Sequence, residues 1–244
     1  MKKIFIILTL ATSLVACKKS TNTPTTNNTS KDSTIIVGKY GNGVTDIEGN
    51  KYKTVIIGTQ EWMGENLKVS KFNDGTSIPN VKDSSVWVKL ITGAWCNYDN
   101  NDSLGKVYGK LYNWYAVSKN TNGDKNVCPT GWHVPIDDEW NVLVDYLGGE
   151  IIAGGKMKGV DNKMWDTLAT NTSFFTALPG GARFDYTYEY YNFHQIGYIG
   201  AWWSSSEYIP EFAENRTIYI GNSIAFLYNI GRKSSGLSVR CIKD

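Results

Sequence analysis

Residues that could catalyse a reaction are sparse in this chain. His133 and His194 are the only two histidines, and they lie far apart in the sequence. A zinc ion usually takes three or four nitrogen, sulfur or oxygen ligands, so this pair alone predicts no zinc site. His133, which lies beside Pro135, is expected to be a structural residue where a helix begins. No Ser or Cys lies in a recognisable nucleophile motif. The sequence therefore predicts no catalytic residue, no metal site and no cofactor.

One short segment is rich in oxygen ligands. Residues Asp99, Asn100, Asn101 and Asp102 could together hold a calcium ion, which takes six to eight oxygens. The segment lacks the spacing and the glycine of an EF-hand loop, so a plain polar loop is the alternative.

A dense group of aromatic residues is the best candidate for a binding surface. The proposed contact residues are Tyr186, Tyr188, Tyr190 and Tyr191, with Trp203 and Glu207 expected beside them. Phe193 and Tyr198 extend the same group. Loops often carry binding residues, and exposed rings can stack on sugars or on side chains of a partner. The alternative is that half of these rings pack beneath the loop as a small separate core.

The N-terminus indicates where the protein is located. Lys2 and Lys3 precede an apolar run from Ile4 to Val15, which is too short to span a bilayer as a helix. Ala16 followed by Cys17 resembles the lipobox of bacterial lipoproteins, in which the cysteine is acylated and the preceding residues are removed. The resemblance predicts a signal peptide at residues 1–16 and lipidation of Cys17. The protein would then be anchored by lipid in the bacterial cell envelope, either periplasmic or exposed at the surface. The alternative is an ordinary secretory peptide cut elsewhere.

The composition of the rest of the chain predicts a tether and one domain, and it argues against nucleic acid as a partner. Residues 17–34 are dominated by Ser, Thr and Asn and predict a flexible tether, followed by one domain over residues 35–244. Cleavage before Cys17 removes two lysines and leaves 23 basic and 23 acidic residues. A neutral mature chain has no basic surface for nucleic acid, so none is expected as a partner.

The periodicity of apolar residues predicts two helices followed by a β-rich half. Tyr108, Leu111, Tyr112 and Tyr115 have helical spacing, and a stricter repeat predicts a second helix over residues 136–147. Trp140, Leu143 and Leu147 of that helix should face a sheet, near Trp202 or Trp203. Because neighbouring strand residues face opposite sides, only one of these two tryptophans should be deeply buried by the sheet. Predicted strands cover residues 54–57, 61–67, 174–178, 201–205 and 237–241, with a hairpin over 217–228. This arrangement indicates the α+β class.

Six short motifs together resemble a known family. They are Trp62–Leu67, Leu111–Ala116, Cys128–Pro135, Phe175–Gly181, Trp202–Glu207 and Ser238–Cys241. In this order they are similar to the Fibrobacter succinogenes major paralogous domain of bacterial secreted proteins and lipoproteins. Ile136 departs from the family pattern, which often has Ser or Thr there. The departure removes a hydroxyl that could cap the helix, a role that Asp137 could take over.

The resemblance implies an architecture more than an activity. It implies a C-type-lectin-like domain, with two helices around a small twisted antiparallel sheet and long loops, and a disulfide between Cys128 and Cys241. Cys96 would then be a free thiol. The Glu-Pro-Asn-like and Trp-Asn-Asp-like triplets of calcium-dependent lectins are absent. We expect a recognition or surface-structural module whose ligand is a glycan or a protein. The alternatives are an extracytoplasmic enzyme acting on glycan or protein, and a purely structural envelope protein.

Overall fold

The computed structural model describes residues 38–160, 164–165, 168–184 and 192–244. Its strands are β1 (Lys39–Tyr40), β2 (Val44–Thr45), β3 (Lys51–Tyr52), β4 (Thr54–Ile57), β5 (Gln60–Met63), β6 (Trp95–Cys96), β7 (Leu111–Tyr112), β8 (Trp132–His133), β9 (Ala182–Phe184), β10 (Asn192–His194), β11 (Ile199–Ile209), β12 (Phe212–Tyr219), β13 (Ala225–Arg232) and β14 (Ile242–Lys243). Its helices are α1 (Ser84–Trp87), α2 (Asp102–Tyr108), α3 (Trp114–Val117), α4 (Lys119–Asn122), α5 (Asp137–Tyr146) and α6 (Glu150–Met157). No helix within the described ranges is long and apolar enough to cross a membrane.

Two antiparallel sheets organise the domain. The larger has five short strands in the order β1-β4-β5-β14-β8, so its middle joins strands from both ends of the chain. Ile242 of β14 pairs with Trp62 on one side and with His133 on the other. The smaller has the order β11-β12-β13 and contains the longest strands. Helices beside several small antiparallel sheets agree with the predicted α+β class.

Helix α5 forms as the periodicity predicts. Trp140, Leu143 and Leu147 are fully buried in one core cluster, where the Trp140 ring lies 6.4 Å from that of Trp202. Ile136, the residue before α5, has no hydroxyl that could cap the helix. Its backbone N–H donates to the Glu139 carboxylate.

A hydroxyl from another element completes this helix start. Ser206 of β11 accepts a hydrogen bond from the backbone N–H of Asp137 at 3.0 Å. Asp137 itself does not cap the helix but forms an ion pair with Arg216 of β12. A tertiary contact thus supplies the hydroxyl that the local sequence lacks.

The two adjacent tryptophans of β11 face opposite sides of the sheet, as strand geometry requires. Trp202 packs against α5, whereas Trp203 lies in a different core cluster on the other side. The expectation that only one of them is deeply buried is wrong, because both are fully buried. Both faces of the three-stranded sheet are covered at this point.

The first predicted helix is wrong. The chain forms α2, β7 and α3 in place of one helix through Tyr108 and Tyr115. Gly109 ends α2 with a φ of 80°, a conformation that favours glycine, and Leu111–Tyr112 pairs with Trp95–Cys96. Asn113 then begins α3 by accepting the backbone N–H of Ala116. A polar cap and a glycine therefore interrupt the helical spacing.

Several strand predictions also needed correction. Residues 174–178 form only one isolated bridge, because Phe174 and Thr176 adopt φ values of 57° and 53° that no strand can contain. Residues 237–241 form isolated bridges, and the final strand is β14. The 61–67 strand shortens to β5, whereas the strand at 201–205 lies within β11. The hairpin at 217–228 is confirmed as β12 and β13, joined by residues 220–224 rather than by a two-residue turn.

The disulfide implied by the resemblance is confirmed. Cys128 and Cys241 are joined, with their Cα atoms 5.9 Å apart. Cys96 is a free, buried thiol, and burial raises its pKa to about 11. The bond links the segment before β8 to the residue before β14, so it fastens the edge strand of the larger sheet to the strand beside it.

Candidate functional site

A groove on the smaller sheet is the best candidate for a binding site. It has a volume of about 300 Å³, at the lower end of the range for ligand pockets. Apolar and aromatic residues that line it are Phe184, Ile199, Ala201, Phe212, Tyr219, Ile230, Gly231 and Leu237. Polar residues that line it are Gln195, Asn215, Thr217, Arg232 and Ser235. It therefore combines rings with a few convergent hydrogen-bonding groups.

Alternate residues of strand β12 form the floor of this groove. Asn215, Thr217 and Tyr219 are two residues apart along β12, so their side chains share the face of the sheet opposite α5. Their neighbours on β11 are Trp203 and Ala201, which pair with Asn215 and Thr217. The side chains on this face of the sheet, and not a local sequence motif, therefore determine which chemical groups line the groove.

A glycine keeps the floor accessible. A Cβ atom added at Gly231 of β13 would lie 3.1 Å from both Nδ2 of Asn215 and the ring of Trp203. Contacts of that length are tighter than ordinary packing, so a larger residue would press on the amide from above. The small residue here leaves the amide group of Asn215 open to the groove.

Two polar atoms at the floor have no hydrogen-bond partner among the described residues. Asn215 is 4% exposed, and its Oδ1 accepts a hydrogen bond from the Thr217 hydroxyl at 3.1 Å. Its Nδ2 donates to no atom of a described residue. Ser235 is 5% exposed, and its Oγ likewise makes no hydrogen bond within the described ranges. Because both residues line the groove, these two polar groups are positioned to form hydrogen bonds with a ligand there.

Arg232 borders the groove. Its guanidinium lies 5.3 Å from the centre of the Phe212 ring, and none of the described residues that line the groove is acidic. The next residue, Lys233, is turned inward, where it lies 4.5 Å from the Trp114 ring and pairs with Glu207 at 2.8 Å. Arg232 is therefore the charged residue among the described lining of the groove.

The predicted contact residues fall into three groups. Tyr186, Tyr188, Tyr190 and Tyr191 lie outside the described residues, as does Cys17. Trp203 is not available to a ligand, because it is fully buried and its indole donates to the backbone carbonyl of Tyr112 at 2.8 Å. The side chain of Glu207 is 45% exposed but is held by Lys233.

The ends of the aromatic segment are nevertheless at the groove. Phe184 and Gln195, which flank residues 185–194 in the sequence, both line it. Phe193 and Tyr198 belong to the same predicted aromatic group. One of them is packed and the other is exposed, as expected if about half of these rings form a small core. Phe193 packs against Tyr98 with ring centres 5.2 Å apart, whereas Tyr198 is 62% exposed. Sequence reasoning missed Asn215 and Ser235, because nothing near either residue marks it as part of a groove.

His133 and Ser205 are engaged in structural contacts. His133 uses both ring nitrogens, contacting Asp244 at 2.7 Å and Glu139 at 2.9 Å. The hydrogen bond to Glu139 is the main reason that the pKa of His133 is raised. The Ser205 hydroxyl donates to the carbonyl of Val134 at 3.0 Å. No nitrogen of His133 is left to accept a proton from a nucleophile, which agrees with the predicted structural role.

The oxygen-rich segment is also structural. Asn101 caps α2, and Asp102 accepts a hydrogen bond from Asn97 at 2.8 Å. Across the part of the chain that the structure describes, no group of three or more His, Cys, Asp or Glu residues could hold a metal ion.

The six sequence motifs supply scaffold contacts. Asn66 of the first motif accepts hydrogen bonds from the indole of Trp202 at 2.8 Å and from the guanidinium of Arg240 at 2.7 Å. Arg240 is fully buried and lies 4.2 Å from the Phe175 ring, and burial lowers its pKa. Asn66 thus joins residues of the fifth and sixth motifs, and Phe175 adds the fourth. The groove instead uses residues outside the motifs.

Comparison with known proteins agrees with these motifs. The family model described as the Fibrobacter succinogenes major domain matches residues 55–243. No curated protein and no solved structure matches the chain. The match spans more than half of the chain and includes every motif that we identified. The chain therefore belongs to the Fibrobacter succinogenes major domain family.

Proposed function

We propose that this protein is a lipid-anchored extracytoplasmic recognition module that binds glycans in the groove of the three-stranded sheet. The observation that carries the proposal is a pair of polar atoms in the groove lining, Asn215 Nδ2 and Ser235 Oγ, which have no hydrogen-bond partner among the described residues and lie beside aromatic rings. Flat rings can stack on the C–H face of a sugar, while fixed polar groups orient its hydroxyls.

A C-type-lectin-like scaffold is part of this proposal. Its support is a disulfide that fastens the C-terminal strand and a helix that packs across small antiparallel sheets. Binding without calcium is favoured, because the described lining of the groove contains no carboxylate and Ca²⁺ sites usually contain several.

Anchoring through Cys17 rests on the sequence. The proposed lipid would hold the domain at a membrane, and a tether extended at about 3.3 Å per residue could place it roughly 50 Å away. Cys17→Ser should abolish labelling by a fatty-acid probe, because only a thiol forms the thioether. Undiminished labelling of the variant would refute the anchor.

A glycan array tests the binding function. The mature protein, purified in detergent, should bind a restricted set of glycans equally well with calcium and with a chelator. Gly231→Val should abolish this binding by covering the Asn215 amide, whereas the matched control Gly197→Val, at a glycine with open space around it, should not. Because Gly197 has a φ of 81°, the melting temperature of both variants must be compared. If no glycan binds to the folded protein, this function is wrong.

The aromatic segment offers a second test. Replacing Tyr188, Tyr190 and Tyr191 by Ala should abolish binding with little change in melting temperature. Unfolding of the triple variant would mean that these rings belong to the core. Unchanged binding by a folded variant would limit the site to the groove.

A further inference from the structure

We infer that a second pocket, at the β2–β3 hairpin, binds a phosphate monoester carried by a sugar or a similar small ring. This pocket shares no residue with the groove of the three-stranded sheet, and its ligand does not depend on the function proposed for that groove. Its volume is about 770 Å³, within the range of ligand pockets. Two lysines and an exposed aromatic ring line it.

The two lysines of the pocket point to the same side of the chain. Lys51 and Lys53 flank Tyr52 where β3 continues into β4, and both line the pocket. Tyr52 points inward, where it is buried and donates its hydroxyl to Asp46 at 2.7 Å. Both lysines are exposed, and neither ammonium group has a partner among the residues that the structure describes. One anion in the pocket can therefore contact both.

Two carboxylates beside the pocket are already paired with other cations. Glu65, which also lines the pocket, pairs with Lys68 at 3.2 Å. Glu61, on the neighbouring strand β5, pairs with Lys243 at 2.9 Å. Neither pair uses a lysine of the pocket.

The acidic residues of the β2–β3 turn face a different lysine. Burial lowers the pKa of Lys110, and the charges of Glu48 and Asp46 oppose this shift, so these three residues lie close together. The positive charges of Lys51 and Lys53 are therefore left for a ligand.

Tyr40 provides a fixed ring beside the two lysines. Its ring stacks on that of Phe174, with centres 4.8 Å apart and an angle of 10° between the planes. Tyr40 is nevertheless 59% exposed and lines the pocket. A ring that is already held in place loses little freedom when a ligand packs on it, and its surface suits the C–H face of a sugar.

A phosphate monoester fits this arrangement better than a carboxylate or a phosphodiester. It carries about −1.5 to −2 charge at pH 7 and three acceptor oxygens, so it can bind two ammonium groups at once. A carboxylate or a diester carries a single negative charge, which one lysine neutralises. Lysine binds phosphate as a compact point charge. The ring that carries the phosphate would then pack on Tyr40.

The test compares ligands that differ in one group, titrated calorimetrically into the mature protein in buffer without phosphate. Glucose 6-phosphate should bind at least about tenfold more tightly than glucose, because two charge-assisted contacts are added. It should also bind more tightly than glucuronate, which has a carboxylate in place of the phosphate, and than glycerophosphoglycerol, the headgroup of an anionic phospholipid. The advantage over glucose should shrink at high salt.

Variants locate the site. Lys51→Gln and Lys53→Gln should each weaken binding of glucose 6-phosphate about fivefold without changing the melting temperature. The matched control Lys89→Gln, at an exposed lysine outside the pocket, should change neither. Tyr40→Ala should weaken binding of glucose 6-phosphate but not of inorganic phosphate, which has no ring. Gly231→Val, in the groove, should leave binding of glucose 6-phosphate unchanged.

Several outcomes would overturn this assignment. Equal binding of glucose 6-phosphate and glucose would do so, as would equal or tighter binding of glucuronate or glycerophosphoglycerol. A loss for Lys89→Gln as large as for the pocket variants would mean that the protein attracts anions without a specific site. If Tyr40→Ala does not fold, the lysine variants still decide, because unchanged binding by both refutes the site. None of these results bears on glycan binding in the groove, which the glycan array and Gly231→Val test separately.

Discussion

Removal of the Asn66 side chain should destabilise the domain more than any surface substitution. This amide has five hydrogen bonds within the core. Its Oδ1 accepts from Trp202 and twice from Arg240, and its Nδ2 donates to the carbonyl of Tyr108 at 2.8 Å and to the hydroxyl of Ser238 at 3.2 Å. Asn66→Ala would leave these groups buried and partly unsatisfied.

The magnitude follows from the kinds of bond lost. A hydrogen bond to a charged group contributes about 1.5–3 kcal/mol, and a neutral one contributes about 1 kcal/mol. Arg240 would keep its contact with the carbonyl of Phe175, which limits the loss. We therefore expect the free energy of unfolding to fall by about 3 kcal/mol, a large part of the roughly 5–15 kcal/mol typical of a domain.

Urea unfolding with the disulfide intact measures this change. Asn66→Leu fills a similar volume without polar atoms, so it should be as destabilising as Asn66→Ala if hydrogen bonding is responsible. Asn120→Ala, an exposed amide on α4, is the matched control and should change stability by less than about 0.5 kcal/mol. A loss below about 1 kcal/mol for Asn66→Ala would refute the assignment of Asn66 as the link between motifs.

Three further predictions concern the scaffold. Replacing both Cys128 and Cys241 by Ala removes a link between residues 113 positions apart and should lower the free energy of unfolding by about 4–5 kcal/mol in urea; an unchanged midpoint would contradict this. Trp140→Ala should cost about 3–5 kcal/mol, because the ring is fully buried, and a loss under about 1 kcal/mol would mean that α5 does not pack as described. The pKa of His133 is raised in the folded state, so its charged form stabilises the fold. That contribution is complete below a pH of about 6.5 and is lost as the pH rises through the folded-state pKa. The stability difference between the parent and His133→Gln should therefore shrink from pH 6 to pH 9 in denaturation experiments, and a difference that grows would refute it.

The amino-acid sequence alone determined the elements that depend on local periodicity. Helix α5 follows from apolar residues at helical spacing, and the β12–β13 hairpin follows from a glycine between two β-rich runs. The six motifs identified the family, and residues of these motifs form hydrogen bonds and ring contacts with one another across the core. The N-terminal pattern predicts lipidation in the same local way, through the residues that precede Cys17.

Only the tertiary structure decided the remaining features, because they depend on residues distant in sequence. The helical spacing from Tyr108 to Tyr115 was overridden when Leu111 and Tyr112 paired with β6, and Ser206 supplied the cap that α5 lacks. The groove is assembled from strands β9, β11, β12 and β13, from Gln195 after β10, and from Ser235 and Leu237 after β13. Asn215 and Ser235 become binding candidates only there, because their position in a groove, with polar atoms that no other described residue uses, depends on their surroundings and not on the residue types.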